Sequence, residues 1–192
     1  VSSSAQTNWT NKFFRIENLW QAGQRINNEK GPLASTVMFD GAWSAQWIIK
    51  PVPGRDFYWI VNRWTAGKLN IEKGVLECSN IHDGANSAMW YLKKIGPNLY
   101  WIENFWKPGQ RIHVENGKLE CNVIQDGANS AMWYIREATI AEDDLTFKTV
   151  RIENLWQAGK RINIEQGPLV ASAMPDGAWS AQWLLKPVPG TN

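Results

Sequence analysis

Asp83-Gly84-Ala85-Asn86-Ser87-Ala88-Met89-Trp90 returns residue for residue as Asp126-Gly127-Ala128-Asn129-Ser130-Ala131-Met132-Trp133. With Trp in place of Asn and Gln in place of Met, the stretch appears twice more, from Asp40 to Trp47 and from Asp176 to Trp183. Four copies in 192 residues make the repeat the unit of reasoning. Each copy ends in a Trp followed by apolar residues: Trp47-Ile48-Ile49, Trp90-Tyr91-Leu92, Trp133-Tyr134-Ile135 and Trp183-Leu184-Leu185. These read as strands that lock every repeat into a shared core. An Ile opens each repeat, at Ile16, Ile60, Ile102 and Ile152, and the distance from Ile to Trp is 31, 30, 31 and 31 residues. That constancy predicts one fold for all four copies, with these eight residues buried together.

Working outward, repeat 3 shows the internal layout best. Tyr100 to Trp106 is an aromatic, β-rich run ended by Lys107-Pro108-Gly109. Arg111 to Glu115 alternates and stops at Asn116-Gly117, a strong hairpin signal. Lys118 to Val123 alternates again, and Asp126-Gly127 turns the chain toward Trp133. Gly23, Gly67, Gly109 and Gly159 hold the first turn, and Gly31, Gly74, Gly117 and Gly167 the second, where they supply positive φ. Nothing has helical period, so the expected class is all-β, four short strands per repeat.

The repeats are expected at 14–54, 58–96, 100–137 and 150–192, preceded by a polar arm, 1–13, in which Trp9 is a candidate anchor. An acidic linker, 138–149, carries Glu142-Asp143-Asp144 and reads as solvated. Repeats 1 and 4 share Arg-Ile-Glu-Asn-Leu-Trp-Gln-Ala-Gly, whereas repeats 2 and 3 share Leu-Glu-Cys, giving an order A, B, B, A.

The bulk properties exclude several classes. An apolar fraction of 44% with 20% charged residues is that of a globular protein. A net charge of +2 and no Lys/Arg run argue against nucleic acid, and no apolar run has the length to insert in a membrane. Two histidines in no ligand spacing predict no metal, and no phosphate loop or nucleophile motif implies a cofactor or an enzyme. Paired carboxylates recur in every repeat, whereas a catalytic pair is normally one asymmetric arrangement. The chain opens at Val1 with no charged and apolar leader, as a secreted product that has shed its signal peptide does, or a trimmed chain. Cys78 and Cys121 occupy one place in successive repeats, where the others carry Ser35 and Ala171. They read as small buried side chains or as a disulfide pair.

Thirteen Trp pose the functional question, because those outside the core have faces to offer. Trp20, Trp64, Trp106 and Trp156 each stand just before the first tight turn, where a core is hard to reach. In the second strand Ile26, Leu69, Ile112 and Ile162 are expected inward. Alternation then turns Asn27, Asn70, His113 and Asn163 outward, together with Glu29, Glu72, Glu115 and Glu165. A flat aromatic beside an amide and a carboxylate matches a sugar, which has an apolar C–H face and a rim of hydroxyls. Symmetric packing between repeats is the competing reading of the four Trp. Trp43 and Trp179 stand where the other type has Asn86 and Asn129, so the two types are expected to differ in their pockets. Asp40, Asp83, Asp126 and Asp176 precede Gly and read as turn formers.

Four strands in about 40 residues closing on a core Trp resemble the β-trefoil repeat of ricin-type lectins. Tyr58 to Arg63 followed by Gly67 to Ile71 is similar to that family's opening hairpin, and Ser44-Ala45-Gln46-Trp47 and its copies to its Gln-x-Trp signature, with Gln adjacent to Trp. The resemblance implies a multivalent, non-catalytic lectin for glycans or glycoconjugates, one shallow site per repeat. In that family an acidic or amide residue near Asn27, Asn70, His113 and Asn163 receives sugar hydroxyls; the usual Asp is absent here. A trefoil takes three repeats and this chain has four. Either three close a trefoil and the fourth finds partners in a homo-oligomer or swapped dimer, or all four share a ring such as a four-bladed propeller. A glycan-targeting module of a larger enzyme, and a protein-binding or protease-inhibiting trefoil, are the other functional readings.

Overall fold

The computed structural model describes residues 8–138, 149–150, 152, 160–165, 167–174 and 178–184. They are all-β, interrupted only by one short 3₁₀ turn per repeat. Repeat 1 supplies β1 (Phe14–Asn18), β2 (Gln24–Asn27), β3 (Ala34–Val37) and β4 (Gln46–Pro51). Repeat 2 supplies β5 (Tyr58–Asn62), β6 (Lys68–Asn70), β7 (Glu77–Ser79) and β8 (Trp90–Gly96). Repeat 3 supplies β9 (Leu99–Asn104), β10 (Gln110–His113), β11 (Glu120–Val123) and β12 (Met132–Glu137). In repeat 4 the corresponding strands are β13 (Thr149–Val150), β14 (Lys160–Asn163), β15 (Val170–Ala173) and β16 (Trp183–Leu184).

The first and last strands of repeats 1–3 pair in a circle, β1–β4–β5–β8–β9–β12 and back to β1. The register repeats threefold. Phe14 faces Trp47, Tyr58 faces Trp90 and Tyr100 faces Trp133 within the repeats. Between repeats, Ile49 faces Ile60, Leu92 faces Ile102 and Ile135 faces Ile16. The inner strands form three hairpins, β2–β3, β6–β7 and β10–β11. A six-stranded barrel with three hairpins is a β-trefoil. Closure leaves no free edge for another repeat, so the four-repeat ring is not the arrangement adopted.

Trp47, Trp90 and Trp133 are fully buried, as are Ile16, Ile60 and Ile102. Each indole N–H donates to a carbonyl of its own second strand, Ile26, Leu69 and Ile112, at 2.8–2.9 Å, so burial leaves no polar atom unpaired. The arm contributes more than a loose tether. Trp9 is buried against Phe14, Tyr58 and Tyr100, with ring centroids 4.9, 6.1 and 5.8 Å away. One indole thus meets the equivalent aromatic of all three repeats and plugs the barrel.

Gly31, Gly74, Gly117 and Gly167 all adopt positive φ at the second turn, as expected. At the first turn Gly23 and Gly109 do so, but in repeat 2 the left-handed residue is Ala66. Gly67 is small for another reason: a Cβ there would lie 2.9 Å from Cys78 Sγ.

Repeat 4 belongs to a second compact unit, Ala141–Pro187. Its internal pairing repeats the pattern, β13 with β16 and β14 with β15, and Trp183 donates to the Ile162 carbonyl at 2.9 Å. The expectation of a buried Ile152 and Trp183 fails, because Ile152 is 42% exposed and Trp183 only half-buried. One repeat brings two of the six strands that a barrel needs, so it cannot close a barrel within itself.

Candidate functional site

Every hairpin is built by the same polar device. Asn27 Nδ2 donates to the Arg25 carbonyl and to the Thr36 hydroxyl, at 2.9 and 2.8 Å, while its Oδ1 accepts the Glu29 N–H at 3.2 Å. Asn70 repeats this with Lys68, Ser79 and Glu72, and Asn163 with Arg161, Ser172 and Glu165. His113 accepts the Glu115 N–H on Nδ1. These four residues are 0–4% exposed, which corrects the outward orientation expected from alternation. The side chain folds back to end the strand as an Asx-type turn, so both faces of this position lie inside protein. Burial holds the His113 imidazole below its ordinary pKa, although the Glu120 and Glu115 carboxylates pull the other way.

The four carboxylates do reach the surface. Glu29, Glu72, Glu115 and Glu165 are exposed, and each accepts a hydrogen bond from the Ser of its own 3₁₀ turn: Ser44, Ser87, Ser130 and Ser180. The serines sit in the repeated octapeptide, and their contact with Glu arises only because the octapeptide coils back over the hairpin, which no local pattern encodes. The Ser carbonyls tie neighbouring repeats together. Asn62 Nδ2 donates to Ser44 O at 2.9 Å, Asn104 to Ser87 O at 2.9 Å and Asn18 to Ser130 O at 2.8 Å.

In repeat 1 Glu29 stands between two adjoining hollows. One, of about 220 Å³, is lined by Asn27, Glu29, Lys30, Thr36, Val37 and Met38. The other, of about 300 Å³, is lined by Glu29, Phe39, Gly41, Ala42, Trp43 and Ser44. Val37 and Phe39 are 75% and 72% exposed, large apolar surfaces next to a fixed carboxylate. Trp43 is half-buried and held by the Arg63 guanidinium 4.1 Å from its ring; Arg63 also covers Phe13 at 4.0 Å and donates to Gln46 Oε1 at 2.6 Å. In the B repeats the places of Phe39 and Trp43 are taken by His82 and Asn86, and by Gln125 and Asn129. The aromatic groove is thus particular to repeat 1 among the first three. The Trp179 side chain lies outside the described residues.

Of the four Trp before the first turn, Trp20 and Trp106 are 54% and 47% exposed, and neither lines these hollows. The Lys107 ammonium lies 5.2 Å from the Trp106 ring. Trp64, expected at the surface, is half-buried with its indole nitrogen shielded from solvent. Trp156 lies outside the described residues. Asp40, Asp83 and Asp126 are tied by ion pairs to Arg25, Lys68 and Arg111 at 2.7, 2.9 and 2.6 Å, each closing its turn onto the second strand. The hydrogen bond from Arg15 and that from Arg25 hold the Asp40 carboxyl below its usual range, as Lys68 does for Asp83. Asp176 lies outside the described residues. Cys78 and Cys121 are free thiols, so the small-side-chain reading is the one the structure adopts.

No family model and no curated protein matches the sequence. Solved structures do. The GlcNAcα1-4Gal-releasing endo-β-galactosidase from Clostridium perfringens matches at 21% identity and a TM-score of 0.60, over 67% of this chain and 33% of that one. The chain therefore spans about a third of the length of that enzyme. The designed threefold-symmetric protein ThreeFoil matches at 14% identity and a TM-score of 0.57, over 67% of this chain and 99% of its own. SeviL, solved bound to asialo-GM1 saccharide, matches at 17% identity and a TM-score of 0.55, over 67% and 98%. At these identities the similarity bears on architecture, and it agrees with the barrel described above: the chain has a β-trefoil fold.

Proposed function

We propose that the protein is a non-catalytic carbohydrate-binding protein, a lectin of extracellular glycans, whose foremost site is the repeat 1 groove. The observation that carries this reading is that the Glu29 carboxylate stands between two adjoining hollows, one lined by exposed Val37 and the other by exposed Phe39. An aromatic face accepts the C–H side of a pyranose, and a carboxylate accepts its hydroxyls through charge-assisted hydrogen bonds. Ser44 holds Glu29 Oε2, so the carboxylate is oriented before ligand arrives and its other oxygen can serve the sugar. The exposed faces of Trp20 and Trp106 are secondary aromatic contacts, and the exposed Glu72 and Glu115, each held by its own Ser, are further hydroxyl acceptors. The reading is also supported by SeviL, which shares this architecture and is bound to a saccharide.

Such shallow sites make few contacts, so each binds in the millimolar range, roughly −4 kcal/mol. Several on one rigid body raise avidity on a glycan-coated surface by about 10²–10⁴. A glycan array tests this with wild type, F39A and E29Q, all verified as folded. Binding to a restricted set of glycans, lost in both variants, supports the reading; array binding unaltered in both overturns it. A second reading, a targeting module within a larger glycan-degrading enzyme, is favoured by the match to one third of an endo-β-galactosidase. It predicts the same groove and preference for that enzyme's polymeric substrate over terminal sugars.

A further inference from the structure

Glu29 lines both hollows of repeat 1, and the two differ in chemistry. The smaller, about 220 Å³, offers aliphatic surface from Pro32, Ala34 and Val37, with the Lys30 ammonium and the Thr36 hydroxyl as its polar groups. Thr36 Oγ1 accepts from Asn27 Nδ2 at 2.8 Å, which leaves its own O–H to donate. The larger, about 300 Å³, offers the aromatic surface of Phe39 and Trp43. Pockets that hold a whole small ligand run to roughly 300–1,000 Å³. Neither hollow alone is a full site by that measure; the two together are.

Phe39 is exposed yet placed. A Cβ on Gly41 would lie 3.2 Å from Phe39 Cε2, so the ring rests against the bare glycine. Between them Asp40 is paired with Arg25 at 2.7 Å and bonded by Arg15, and its carbonyl accepts Gln46 Nε2 at 2.9 Å. The aromatic wall is thus held in position before any ligand arrives. The other copies do not reproduce it. In repeat 2 a Cβ on Gly84 would lie 3.3 Å from His82 Nδ1, so the seat is kept but carries an imidazole, with Asn86 in the place of Trp43. In repeat 3 nothing lies within 4 Å of such a Cβ on Gly127, and Gln125 stands in the place of Phe39.

We infer that the repeat 1 groove recognises a linked pair of sugar rings, not a single terminal ring. One ring stacks on Phe39; its neighbour lies along Val37 with hydroxyls toward Thr36 and Lys30. Glu29 accepts hydroxyls of both rings beside the glycosidic bond. The inference rests on the carbohydrate reading of Glu29 and Phe39 given above, and the substrate class it names is a disaccharide or an internal pair within a longer glycan. Covalent linkage makes the second ring's contact intramolecular, so the pair should bind at least about tenfold more tightly than either ring alone.

Isothermal titration of the full chain tests this, with lactose, cellobiose, maltose and chitobiose, together with every disaccharide bound on the array, against the methyl glycosides of their separate rings. The expected result is a disaccharide bound at least about tenfold more tightly than either of its rings. F39A strips the larger hollow and K30A/V37A the smaller, all three at exposed positions. Each variant should cut the disaccharide advantage to below about threefold, with near-ultraviolet circular dichroism unchanged. A monosaccharide bound as tightly as every disaccharide that contains it overturns the linked-pair inference and leaves the carbohydrate reading standing. So does a disaccharide advantage that survives either variant. Binding of no sugar at all overturns the carbohydrate reading and the inference with it.

Discussion

Replacing Trp9 by Ala should damage the first trefoil as severely as a mutation inside its barrel, although Trp9 precedes the first repeat. The indole is 7% exposed and touches Phe14, Tyr58 and Tyr100. A buried Trp removes about 200 Å² from water, worth roughly 5 kcal/mol at about 25 cal/mol per Å². The unfolded chain already buries part of that area, which lowers the figure to about 3–4 kcal/mol. The cavity left behind adds back some tenths, so about 3–5 kcal/mol is expected, in the range of Trp-to-Ala changes in cores. With a urea slope of about 2 kcal/mol/M, the midpoint should fall by about 2 M. Urea unfolding followed by near-ultraviolet circular dichroism measures it, with W20A as a control that should shift little. A fall of less than about 0.3 M in W9A would mean that the indole does not plug the barrel.

His113 should make stability pH-dependent in one repeat only. Burial lowers its folded pKa, with Glu120 and Glu115 opposing, so the fold binds fewer protons than the unfolded chain. The His113 contribution is therefore full above pH 6.5 and is lost as pH falls below it. Protonation would set an N–H against the Glu115 N–H that Nδ1 now accepts. H113N, which installs the residue of the other repeats, should remove this slope, and an unchanged slope in urea melts between pH 7 and 5 would refute the assignment. Burial pushes the Cys78 and Cys121 thiols up to about 11 and about 12. Iodoacetamide at pH 8 should then alkylate the folded protein at least about a hundredfold more slowly than the urea-unfolded chain, and equal rates would contradict that burial. S44A should weaken glycan binding severalfold at little cost to the melting temperature, because it frees the Glu29 carboxylate to reorient; isothermal titration with the preferred glycan would show undiminished affinity if the Ser–Glu contact has no such role.

The repeats were legible because hydrophobic spacing and turn residues are local properties. Ile16 to Trp47 and its copies fix where each repeat opens and closes, and Gly31, Gly74, Gly117 and Gly167 fix where the second turn falls. The site was less legible. Alternation assumes that a strand has a wet face, and β2, β6 and β10 do not offer one at Asn27, Asn70 and His113. A short polar side chain that bonds its own backbone is buried as readily as an apolar one. Phe39 gives no signal in the repeat pattern because its place is taken by His82 and Gln125 in the next two copies, while Val37 returns as the equally exposed Val123 of repeat 3. Ile152 and Trp183 mark a second limit. Sequence likeness predicts what a residue does within its repeat, while burial depends on how many repeats stand beside it.

The most direct test of the account is a two-dimensional nitrogen–proton spectrum recorded as the best glycan from the array is titrated in. With thirteen Trp, indole N–H signals report on core and groove at once. The account predicts that the Trp43 signal moves in repeat 1, with smaller shifts at Trp20 and Trp106. Trp47, Trp90 and Trp133, bonded to carbonyls within the trefoil, should stay in place. Saturating binding that leaves Trp43, Trp20 and Trp106 unmoved would contradict it.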